Sequence, residues 1–216
     1  MQDAHDMTQE HRESLGYPVS VQVLRPADAD QGQLLLRMLI YLALGVGHHS
    51  LGGIFLALYV LVPAIAGVLL SRAPGPGFAA ADRSRLHNAL EWVLASYAYL
   101  LLVTDRFPTD ADSRGLRWTV HSEGQPTLMS AALRALKSLP QAAWLFALGI
   151  AASVCAIVIG VHMWLGKVPP VGLCQFQRDF IGCLARFLAY HASLVDEYPP
   201  WSLNVDHEPT DTQELG

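Results

Sequence analysis

Charge is what this sequence has least of. Asp, Glu, Lys and Arg make up 15% of its 216 residues, where an average soluble domain carries about a quarter. Hydrophobic residues make up 52%, so the deficit points to lipid. The net charge of −5 argues against a nucleic-acid surface. Cysteine is scarce too. Cys155, Cys174 and Cys183 form no Cys-x-x-Cys pair and are odd in number, so no disulfide framework is expected. Cys155 lies in an apolar run, where a thiol acts as a small hydrophobe. No ligand cluster surrounds the three, so neither a catalytic nor a metal role is expected. A leader-like apolar core is also lacking. Gln2 to Ser14 is polar, and the first apolar segment is expected to direct membrane insertion by itself.

Two long charge-free runs are present. Leu51 to Leu70 has 20 residues, about 30 Å as a helix, which matches a hydrocarbon core. Pro63 lies within it and predicts a kink, with neighbouring groups re-satisfying the freed carbonyl. Ala142 to Leu165 has 24 residues, ten of them Leu, Ile, Phe or Val, and reads as the strongest spanning helix. Ala152, Ala156 and Gly160 recur every four residues. That stripe either packs against a helix or faces lipid without a partner.

Two weaker segments, 86–103 and 176–195, carry Glu91 in one and Arg178, Asp179 and Arg186 in the other. A central arginine opposes most of the insertion gain of its apolar neighbours. Both read as amphipathic helices, in the interface or against the spanning helices, with crossing as the alternative.

The segments repeat in order. Val19, Val21 and Val23 alternate with polar residues, as do Leu116, Trp118 and Val120, and each set predicts a short strand. An arginine-led helix follows each strand at the same distance, with Arg37 and Arg134. The long apolar run and a proline loop come next, Ser71-Arg72-Ala73-Pro74 and Gly166-Lys167-Val168-Pro169-Pro170. An amphipathic helix then ends in Ala98-Tyr99, Asp105-Arg106-Phe107-Pro108, or in Ala189-Tyr190, Asp196-Glu197-Tyr198-Pro199. Proline stops a helix, and the aspartate side chain can bond turn amides. Asp105 and Asp196 therefore read as structural rather than catalytic.

The expected fold is an all-α membrane protein with short β-strands, in two tandem repeats. Residues 1–16 and 204–216 are expected to be disordered, the latter as an acidic tail. The first unit covers 17–112 and the second 113–203. Single crossings would put the two strands on opposite sides of the membrane; double crossings would let them pair. Eight Lys or Arg lie between Ser71 and Ala143, with three on either side. Given single crossings, that bias places the central loop in the cytoplasm.

Asp196 to Leu203, preceded by Arg186, Ala189 and Tyr190, resembles the bacterial membrane-protein family catalogued as domain of unknown function 4389. Thr104-Asp105-Arg106-Phe107-Pro108 matches the start of the same ending. Arg134 with Leu139-Pro140-Gln141 resembles the family's arginine-led helix, with Gln141 replacing its usual histidine. Arg37 with His48 resembles it less, since the proline is missing. The resemblance covers roughly residues 17 to 203. It implies the membrane fold and a multi-pass place in the bacterial inner membrane, and it carries no established activity or active site.

Gly47-His48-His49-Ser50-Leu51-Gly52-Gly53 comes near a lipase nucleophile elbow. The elbow needs Gly-x-Ser-x-Gly, and His48 stands where its first glycine belongs. The reading as a polar, glycine-rich break outweighs a Ser50 hydrolase. His48 and His49 point about 100° apart on a helix and do not chelate from one face. His162 and His191, near helix ends, are expected to snorkel or to be hydrogen-bonded. Glu91 is either an intramembrane acid with a function or a carboxylate near a helix start, and the second reading is favoured. No catalytic, cofactor or metal residue is assigned and no cofactor is expected. The expected function is a non-catalytic scaffold or accessory component of a membrane assembly. The alternatives are a lipid-handling hydrolase using Ser50 and a small transporter. Expected partners are the lipid bilayer, other membrane proteins or a second copy, and no nucleic acid.

Overall fold

The computed structural model describes residues 17–23, 32, 34–37, 39–40, 51–72, 80–105, 107–109, 115–121 and 126–203. The ends 1–16 and 204–216, the loop residues 73–77 and the motif residues 47–50 lie outside them.

Strand β1, Val19–Val23, pairs antiparallel with β2, Leu116–Val120, and Val21 stands opposite Trp118. Alternation puts Val19, Leu116 and Trp118 inward and Ser20, Gln22, Arg117 and Thr119 outward. The Ser20 and Thr119 hydroxyls meet across the ribbon at 2.6 Å, a favourable cross-strand pair. The strands therefore share a side of the molecule.

Helix α1, Leu51–Arg72, contains Pro63. Helix α2, Ala80–Leu100, places Asp82 in its first turn, where the helix dipole favours a carboxylate. Helix α3, Leu128–Lys137, opens on a capping box in which Thr127 and Ser130 bond each other's backbone amides. Helix α4, Leu139–Trp164, carries Pro140 in its first turn, where a proline's missing donor costs nothing. Helix α5, Val171–His191, follows Pro170. Helices α2 and α5 thus begin before the apolar patterns at 86 and 176. The first turn of α2 carries Asp82 and Arg83, and that of α5 opens on exposed Val171 and Gly172, so neither shows a regular apolar pattern.

Neither helix is stopped by the proline of the Asp-x-aromatic-Pro ending. Each closes several residues earlier on a left-handed residue, Leu102 (φ 61°) or Ser193 (φ 58°). Val103 N–H bonds Ala98 O at 2.9 Å, and Leu194 N–H bonds Ala189 O at 2.8 Å. These backward bonds satisfy carbonyls that a helix end leaves open.

The elements form three layers. The ribbon packs on α2 and α5. Those two pack on each other, and α5 packs along α4. Helix α1 packs on α3, α4 and α5. The core lies mainly in the middle layer, around Leu94, Ala98, Ile181, Leu184 and Phe187, with Ala152 and Ala156 from α4. The small-residue stripe is therefore packed: a Cβ on Gly160 would meet the Leu102 side chain at 3.5 Å. Among the described residues, α1 and α4 are long and apolar enough to cross a membrane.

Candidate functional site

Two clamps of the same make-up close the ends of α2 and α5. Arg37 donates to Thr104 O at 2.6 Å, and its guanidinium lies 4.2 Å from the Tyr99 ring centre. Tyr99 in turn meets Phe107 edge-on at 5.2 Å. In the second clamp Arg134 donates to Val195 O at 2.9 Å and lies 5.8 Å from the Tyr190 ring centre. Tyr190 meets Tyr198 edge-on at 5.3 Å. A planar guanidinium suits this double duty, bonding a carbonyl while stacking on a ring. Arg134 also pairs with the Asp196 carboxylate, so Asp196 serves a side chain rather than turn amides. Arg134 sits in the last turn of α3 and does not lead its helix.

Beside the second clamp lies a polar node. Pro63 has no N–H, so the carbonyl of Tyr59, four residues earlier, loses the donor a regular helix would give it. His191 supplies one: its Nε2 lies 2.7 Å from Tyr59 O. Its Nδ1 lies 3.0 Å from Ser138 Oγ. The Tyr59 hydroxyl donates to Ala135 O at 2.6 Å, and the Tyr59 ring stacks on His191 at 4.6 Å. His191 is fully buried and does not snorkel. Burial holds its pKa below the ordinary histidine range. His162 bonds Val158 O, one turn back on its own helix.

Glu91 lies in the middle of α2 rather than near its start. Its carboxylate accepts from Trp118 N–H at 3.2 Å, while His87 stacks on Trp118 and lies 3.1 Å from its carbonyl. These contacts satisfy backbone groups on the outer edge of β2, which a two-stranded ribbon cannot pair by itself.

Tyr17 donates to Glu197 O at 3.0 Å. Burial, and then Glu197, raise its hydroxyl above the usual tyrosine range, while Arg186 opposes them. Burial also pushes the Cys183 thiol up to about 11, and that thiol donates to Ser202 O at 3.3 Å. It is a poor nucleophile at neutral pH. All three cysteines are free thiols. Among the described residues no group of three His, Cys, Asp or Glu is placed to hold a metal ion.

An apolar cavity of about 380 Å³ opens on α4 between Phe55, Tyr97, Leu101, Phe146 and Phe180. Ser153 also lines it, with its hydroxyl already bonded to Gly149 O at 2.8 Å. The chemistry on offer is therefore that of a hydrocarbon host.

Sequence reasoning missed the clamps' acceptors and the His191 bond to Tyr59. The one readable signal for the latter is Pro63, which announces a carbonyl in need of a donor. No family model, curated protein or solved structure matches this chain.

Proposed function

We propose that this chain is a membrane-bound, non-catalytic scaffold made of two copies of one unit, which holds other membrane components together. One observation carries the membrane part of the reading. Only 17% of the apolar stretch in α1 and 22% of that in α4 is buried inside the protein. A core helix of a soluble protein hides such a surface; here it faces outward, as lipid contact requires.

The duplication is supported by matched chemistry. The ribbon register sets Val21 against Trp118, which are the central residues of the two matched strand patterns. Each unit contributes an arginine to a carbonyl, a tyrosine under that arginine and an aromatic ring beyond it. A pseudo-two-fold axis through the ribbon accounts for all of these. The resemblance to domain of unknown function 4389 agrees with this reading and implies a place in the bacterial inner membrane.

The test is fractionation followed by cross-linking of the full chain in its membrane. The chain is expected in the membrane pellet after an alkaline wash and in a cross-linked assembly larger than itself. A strict monomer that captures nothing contradicts the scaffold role. The open apolar cavity favours lipid handling as a second reading. In its enzymatic form, Ser50→Ala abolishes ester hydrolysis; activity unchanged by that substitution rules it out.

A further inference from the structure

The outer apolar layer has a length and a direction. Helices α3 and α4 follow one another as a broken rod, with Ser138 as the joint that caps both and Pro140 just beyond it. Ser138, between them, is right-handed helical at φ −79° and ψ −7°. Its N–H bonds Arg134 O at 2.9 Å, and its carbonyl accepts from Ala142 N–H at 2.8 Å. Exposed apolar side chains line this rod from Leu128 and Met129, through Leu136, Ile150 and Ile157, to Leu165. Helix α4 alone, with 26 residues, is about 39 Å long, against about 30 Å for the hydrocarbon core of a bilayer.

The other helices share the rod's axis. Helix α1 runs beside it in the opposite direction, with Tyr59 at Ala135 and Gly67 at Leu128. Arg83, near the start of α2, donates to Leu194 O, just past the end of α5. His191, at that same end, meets Ser138 at the start of α4. Gly160, near the far end of α4, lies against Leu102, just past the end of α2. The ribbon lies beside the middle of this axis, since Trp118 bonds Glu91 and His87 halfway along α2. Its exposed face carries Ser20, Gln22, Arg117 and Thr119.

With the axis along the bilayer normal, that polar face would sit at mid-depth, where an arginine is most costly. With the axis in the plane, the layer of α1, α3 and α4 sinks among acyl chains and the ribbon stays in water. Lys137 and Lys167, exposed at the two ends of α4, then snorkel to headgroups.

We propose that the protein is seated in one leaflet, its long helices parallel to the membrane plane, with that leaflet's acyl chains covering α1, α3 and α4. This rests on the membrane reading above and replaces crossing with in-plane seating. The ribbon pairing then needs no count of crossings, because both strands lie on the aqueous side.

Polarised infrared dichroism of the unmodified chain in oriented phosphatidylethanolamine–phosphatidylglycerol bilayers reads the helix axis directly. In-plane helices are expected, and helices along the normal overturn the proposal. A second measurement reads depth. Met129→Cys, Ile150→Cys and Val161→Cys, each at an exposed site, carry a fluorophore in a chain with Cys155, Cys174 and Cys183 replaced by alanine. Lipids brominated along the acyl chain are expected to quench all three within about twofold, as an interfacial layer of constant depth requires. Quenching deepest at Ile150 and several-fold weaker at Met129 and Val161 overturns the in-plane seat and keeps the membrane reading. No quenching at any position overturns the membrane reading itself.

Discussion

Arg37 and Arg134 each hold a carbonyl that leads out of a finished helix. Removing the guanidinium leaves Thr104 O or Val195 O without its donor. Arg37→Met and Arg134→Met are each expected to cost about 1–3 kcal/mol. Thermal denaturation in detergent reads this as a fall of about 2–4 °C per kcal/mol for a chain of this size. Arg37, the more buried of the two, is expected to cost more. His191 adds a pH signature. Its folded pKa is depressed by burial, so its contribution is complete above the unfolded value near 6.5 and is lost as pH falls through the folded value. The melting temperature is expected to drop on acidification below about 6.5. His191→Phe is expected to melt lower at neutral pH and to lose that part of the acid dependence. Equal acid dependence in the two proteins would refute the assignment.

At the scale of elements, the left-handed residues are weak points. Ser193 takes φ 58° and buries a hydroxyl without a hydrogen-bond partner. Ser193→Gly removes both penalties and is expected to stabilise by about 1 kcal/mol, seen as a higher melting temperature. The ribbon leans on α2. Glu91→Ala is expected to speed hydrogen exchange at the Trp118 amide, whereas Glu91→Gln keeps an acceptor and most of the protection. Much at this scale was legible in the sequence. The alternation at Val19, Val21, Val23 and at Leu116, Trp118, Val120 placed both strands, and charge-free runs placed α1 and α4. The starts of α2 and α5 were not legible, because Asp82 and Arg83 in one and exposed Val171 and Gly172 in the other give no apolar period. The stops were misread because Leu102 and Ser193 are not glycine, and their type gives no hint of a left-handed backbone. The clamps and the node were hidden for a different reason. Their acceptors are backbone carbonyls, which every residue has, so no residue type marks them.

For the whole molecule, the in-plane seat proposed above makes the exposed face of α3 part of a lipid-covered layer. Leu133→Asp and Leu136→Asp alter side chains that are 48% and 64% exposed, so stability is expected to change little. Each is expected to weaken binding to phosphatidylethanolamine–phosphatidylglycerol vesicles roughly tenfold or more, measured by flotation. Unchanged flotation would remove α3 from the membrane contact.

The bond from His191 to Tyr59 O has a mechanical consequence. A helix bent by proline is a loose joint when the carbonyl opposite the ring has nothing to hold it. In α1 the missing tie comes from the last residue of α5, 132 positions along the chain. The tie that Pro63 removes is therefore supplied by docking rather than by α1 itself.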